Sequence, residues 1–79
     1  DVSVADILSK KRKKNIAYAR QVAMFLTREL TGSSFPKIGE AFSGRDHTTI
    51  MHGCEKIEKE LKESDELKKA ISDLKQVLS

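Results

Sequence analysis

Apolar side chains recur along this chain at three- and four-residue steps, with no run of strict alternation, so the pattern predicts helices and no strands. Five segments stand out. The first is short, with Val4, Ile7 and Leu8 behind Ser3 and Asp6, which are spaced as a capping box with Asp in place of Glu. The second carries Ile16, Ala19, Val22, Ala23, Leu26 and Leu30 as its stripe. "TGSS" (31–34) stops it, with Gly32 suited to the left-handed position after a helix and Ser34 suited to cap the next. The third, "FPKIGEAF", places Pro36 in a first turn, where the missing N–H does no harm. "SGR" (43–45) breaks it. The fourth runs from about Asp46 to Lys62 with Ile50, Cys54, Ile57 and Leu61 as its stripe. Ser64 caps the fifth, whose first turn holds Asp65 and Glu66 and whose stripe is Leu67, Ala70, Ile71, Leu74 and Leu78. The expectation is a single all-α domain over residues 1–79, with about five helices.

At 79 residues, 38% hydrophobic and 34% charged, the composition fits one small folded domain and not a disordered tail. Charge changes the picture more. Residues 10–53 hold nine Lys or Arg against three Asp or Glu, a balance of +6, while 54–79 hold six against seven. Positive charge so concentrated suggests a polyanionic partner, the alternative being surface lysines that only keep the domain in solution. The lone cysteine, Cys54, has no internal disulfide partner, which points to a reducing compartment. No apolar run approaches the ~20 residues that cross a bilayer, and no signal-peptide pattern opens the chain. It starts abruptly in a helical pattern, as a piece of a longer protein would.

"SGRDHTTIMHG" (43–53) packs an acid, a base, two histidines and two threonines between glycines, just where the fourth helix begins. As a catalytic cluster it fails: Asp46, His47 and a threonine adjacent at a helix start point in different directions, and a nucleophile needs its base within hydrogen-bond reach. No Gly-rich phosphate loop of the Walker type is present. As a metal site it fails too, because His47 and His52 lie about 140° apart round a helix, and His47 with Cys54 gives only two ligands. Cys54 shares the apolar stripe of Ile50 and Ile57 and reads as a small core residue.

Geometry favours a reading head. A short helix containing Ile38 and Gly39, a turn at 43–45 and a longer helix from Asp46 make a helix-turn-helix. Gly39 costs roughly 1 kcal/mol against Ala in a helix interior, which close approach of the two helices would explain. Such domains read DNA with the first residues of the second helix, here Asp46, His47, Thr48 and Thr49. Asp46 suits a cytosine amino group, with helix capping as its alternative role. The threonines suit a thymine methyl or a phosphate, and His47 a base acceptor or a methyl. "KKRKK" (10–14) has nothing to bury and is read as following a phosphate backbone, with Arg12 the candidate for a narrow minor groove.

These residues resemble a known family. "GRDHTTIMHGCEKI" (44–57) is similar to the signature of the C-terminal DNA-binding domain of the bacterial replication initiator DnaA, and the similarity extends through "VADILSKKRKKNIAYARQVAMFLTRELT" and "FPKIGEAF". The resemblance implies a Trp-repressor-like helix-turn-helix bundle that binds the nine-base-pair DnaA box in double-stranded DNA, at the replication origin and in some promoters. It implies Arg12 in the minor groove, and Asp46, His47, Thr48 and Thr49 on bases and phosphates of the major groove. Phe35 and Pro36 are implied in apolar contacts, and Arg20, Gln21 and Arg28 on the backbone or bases. Lys10, Lys11, Lys13, Lys14, Lys37 and Arg45 complete the expected backbone contacts. No cofactor and no catalysis are expected in this stretch, since the family's ATP-binding domain lies N-terminal to it. A monomer in the bacterial cytoplasm, at the nucleoid, is expected, with replication regulators and acidic phospholipids as further partners.

Three positions depart from the family pattern. Ala19 stands where many members have proline, Phe35 replaces the usual leucine, and Ser43 a common glycine. A rival reading is a helical interaction module whose basic face docks an acidic protein or lipid; the run Asp46–Thr49 argues against it, because an electrostatic face does not need it.

Overall fold

The computed structural model describes residues 3–9 and 13–78; the expectations for Lys10, Lys11 and Arg12 lie outside them. Five helices follow in order: α1 (Val4–Leu8), α2 (Lys14–Thr31), α3 (Phe35–Ala41), α4 (His47–Glu63) and α5 (Asp65–Leu78). The described residues contain no strand. None of the helices is long and apolar enough to cross a membrane.

The local signals act as read. Ser3 and Asp6 form a reciprocal capping box on α1. Gly32 ends α2 at φ 67°, with its amide on the Arg28 carbonyl at 2.9 Å. Ser34 accepts from the Lys37 amide and Ser64 from the Leu67 amide, capping α3 and α5.

α2 is the central helix and touches all four others. Its buried side chains are Ile16, Arg20, Met24, Phe25 and Leu26, which corrects the expected stripe. A helix packed on several sides buries more than one face, so Met24 and Phe25 go inward while Leu30 is left 40% exposed. Ile38 of α3 and Ile50 and Ile57 of α4 are the most completely buried large side chains, and Cys54 packs in the same cluster. Cys54 is thus a core residue, with burial pushing its thiol pKa up. The α5 stripe is also corrected. Only Ile71 is buried; Ala70, Leu74 and Leu78 are exposed, because α5 closes one edge of the bundle.

Gly39 and Gly53 are buried where a Cβ would meet close neighbours. A Cβ on Gly39 would collide with the carbonyl of Arg45, so the required space belongs to the turn and not to a facing helix backbone. A Cβ on Gly53 would lie 3.1 Å from Cε of Met24 and 3.4 Å from Cγ of Gln21, bringing α4 down onto α2.

Candidate nucleic-acid interface

The turn between α3 and α4 is built from two successive left-handed residues, Ser43 at φ 68° and Gly44 at φ 71°. The Arg45 amide donates to the Gly39 carbonyl at 2.9 Å, folding the chain back over α3. Asp46 follows in extended conformation at the N-cap position, and its carbonyl accepts from the Ile50 amide. Its side chain makes no cap bond, which removes the capping alternative. Instead its Oδ1 lies 3.4 Å from Nδ1 of His47, an exposed pair worth little to stability. His47 and Thr49 are exposed and Thr48 half-buried, above the fully buried Ile50 that fixes the helix beneath them. The first turn of α4 therefore offers side chains and uncapped amides to an outside partner.

The other expected residues divide into two groups. Lys13, Lys14, Pro36 and Lys37 are exposed. Gln21 lines a groove with Lys14, Ala17, Tyr18 and Lys56, where α2 begins alongside α4. Its Oε1 is buried with no hydrogen-bond partner. The three lysines and Pro36 are thus open to an outside partner, whereas Gln21 keeps its Oε1 inside. Three arginines are committed within the protein. Arg20, expected on the backbone of DNA, is 7% exposed and donates to the carbonyls of Asp6, Ile7 and Ser9 at the end of α1. Arg28 lies 4.4 Å over the Phe35 ring and donates to the Ser33 carbonyl. That contact leaves Phe35 half-buried, so only part of its ring faces outward. Arg45 donates to the carbonyls of Phe42 and Ser9.

Sequence reasoning passed over Lys56 and weighed His52 only as a metal ligand. Lys56 is seven residues beyond Thr49, which puts both on one line of the helix, with His52 between them and exposed. That spacing was the available signal. Lys56 Nζ sits 6.0 Å over the Tyr18 ring, and the Tyr18 hydroxyl donates to Glu60 at 3.1 Å. Burial, then the hydrogen bond to Glu60 and its charge, raise the Tyr18 pKa, so the phenol stays a donor. The line Thr49, His52, Lys56 runs down α4 to the groove at the start of α2.

The family model for the bacterial DnaA protein helix-turn-helix matches residues 1–57. The chromosomal replication initiator protein DnaA of Lactobacillus delbrueckii subsp. bulgaricus is 54% identical over 76 residues, covering 96% of this chain and 17% of that protein. The protein of the same name from Lactobacillus johnsonii is also 54% identical over the same extent, and that of Lactobacillus helveticus 51%. This chain thus spans 17% of the length of these relatives. With a family match across its first 57 residues and the expected helices in the expected order, the chain belongs to the bacterial DnaA helix-turn-helix family.

Proposed function

We propose that this chain binds double-stranded DNA sequence-specifically, at the nine-base-pair DnaA box, and serves initiation of bacterial chromosome replication. α4 enters the major groove with Asp46, His47, Thr48 and Thr49 at base edges and nearby phosphates. Pro36 and the outward part of Phe35 supply apolar contact beside it. Lys13, Lys14, Lys37 and Lys56 bind the sugar-phosphate backbone, the same role is assigned to Lys10 and Lys11 from the sequence, and Arg12 is assigned to the minor groove. No cofactor is required for this step.

The observation that carries the reading is the juxtaposition along α4. Its exposed, uncapped first turn presents small polar side chains, and its next two turns run into a groove edged by Lys14 and Lys56. Base edges need the former and phosphates the latter. The relatives' name, chromosomal replication initiator protein, supports placing that DNA at an origin.

The test is a titration of a box-containing duplex against a scrambled duplex of equal composition. Box affinity should exceed scrambled affinity by a thousandfold or more, the usual range for specific DNA binders. With roughly 5–8 phosphate contacts, log affinity should fall with log salt at a slope of about −4.5 to −7. Equal affinity for both duplexes would overturn the box assignment, and a slope near zero the backbone contacts.

A further inference from the structure

The end of α1 is held by donors from two distant parts of the chain. The Ser9 carbonyl accepts from Nη2 of Arg20 at 2.8 Å and from Nη2 of Arg45 at 2.5 Å. Arg20 extends the grip to Ile7 through Nε at 2.7 Å and to Asp6 at 3.2 Å. The Ser43 hydroxyl donates to the Leu8 carbonyl, and Nη1 of Arg45 donates to the Phe42 carbonyl at 2.6 Å. These α1 carbonyls are among those a helix leaves unsatisfied at its C-terminal end. The turn that delivers α4 is therefore tied by Ser43 and Arg45 to α1, and α1 is tied by Arg20 to α2.

Ser43 sharpens the point. A left-handed residue other than glycine is strained, and Ser43 sits at φ 68° with its hydroxyl on Leu8. Glycine would adopt the angle freely and lose the tie.

We propose that Ser43 and Arg45 are positioning residues for DNA reading: they seat the first turn of α4 at a fixed place on the α1–α2 scaffold, and Arg45 does not itself grip a phosphate. The proposal rests on the box-binding reading above. A direct phosphate contact would need the Arg45 fork turned outward, whereas each of its Nη atoms already donates one N–H to a carbonyl, that of Phe42 just before the turn and that of Ser9 at the end of α1. Burial, and after it the positive charge of Arg20, lower the Arg45 pKa, as expected of a guanidinium drawn in from solvent beside another cation.

Charge and geometry separate in the substitutions. Arg45→Lys keeps the charge but loses the planar fork that spans the Phe42 and Ser9 carbonyls; Arg45→Met loses both. Titrations on box and scrambled duplexes at two salt concentrations, with Lys56→Ala as the phosphate-type control, read the difference. The positioning role gives a loss of roughly tenfold on the box for both Arg45 variants, the scale of one good base contact. Scrambled affinity and salt slope stay at wild-type values. Wild-type behaviour of Arg45→Lys, with Arg45→Met weakening both duplexes equally and flattening the slope by about one unit, would make Arg45 a phosphate grip and overturn the proposal. If circular dichroism shows the Arg45 variants unfolded, Ser43→Gly decides, since it removes one exposed tie and relieves the left-handed angle. A severalfold loss of box preference with unchanged scrambled binding supports the tie, and unchanged box preference overturns it. A wild type without box preference would instead overturn the box-binding reading and the positioning role with it.

Discussion

The carbonyl oxygen of Arg45 fills the space that a Cβ on Gly39 would need, and the Arg45 amide donates back to the Gly39 carbonyl at 2.9 Å. Backbone meets backbone here, so neither side can yield as a flexible side chain would. Gly39→Ala should therefore destabilise by about 1–3 kcal/mol despite the better helix propensity of alanine, read as a lower denaturation midpoint. Gly53→Ala meets only the flexible end of Met24 and the stem of Gln21. It should be near neutral, or stabilising by up to about 1 kcal/mol. Equal losses at both glycines would contradict the distinction.

Reading and gripping should separate along α4. His47→Ala and Thr48→Ala should lower box affinity by about 1–3 kcal/mol and leave scrambled DNA nearly untouched. Lys56→Ala should weaken both duplexes alike and flatten the salt slope by about one unit. The check is the set of titrations already described; a Lys56→Ala loss confined to the box would move that lysine among the base readers.

Arg20 should matter to the fold before it matters to any ligand. Its guanidinium, 7% exposed, supplies the end of α1 with donors. Hydrogen bonds from charged donors are worth about 1.5–3 kcal/mol, so Arg20→Met should cost on that order in urea unfolding without DNA present. A variant as stable as wild type would show that α1 is held by something else.

Cys54 should make stability sensitive to alkaline pH. Desolvation raises its pKa above 9.0, ahead of a lowering by Arg28 and further raising by Glu29 and Glu58. The folded state thus prefers the protonated thiol more strongly than the unfolded chain does. Its contribution is full below the unfolded thiol value and is lost as pH climbs through the folded one. Thermal melts from pH 7 to 10 should decline more steeply for wild type than for Cys54→Ala. In native protein the thiol should react with a disulfide reagent far more slowly than in denaturant.

Helix limits were legible because they are written locally. Ser3 with Asp6, Gly32, Ser34 and Ser64 act within one turn of themselves, so their meaning survives in the bare sequence. Which side of a helix faces inward is a property of its neighbours. Met24 and Phe25 were missed because α2 is surrounded, and Leu74 and Leu78 were over-read because α5 is not. At the candidate site the contiguous run 46–49 was plain. Lys56 was masked among the evenly spread charges of α4, with only its seven-residue step from Thr49 to mark it. Arg20 carried no sign of its interior task, since a guanidinium bound to backbone carbonyls leaves no acidic partner in the sequence to pair it with.

The edge position of α5 has a consequence in time. Ile71 is its one buried side chain, and the outer turns carry Val77 at 80% and Leu78 at 59% exposure. Segments with few buried contacts open ahead of the whole molecule. Backbone amides of α5 should thus trade hydrogen for deuterium well before those of α2 and α4, where Met24, Ile50 and Ile57 interlock. The bundle then has a slow clock in its middle and a fast one at its last helix, so α5 can unwind and re-form many times while the face made by α2 and α4 holds its shape.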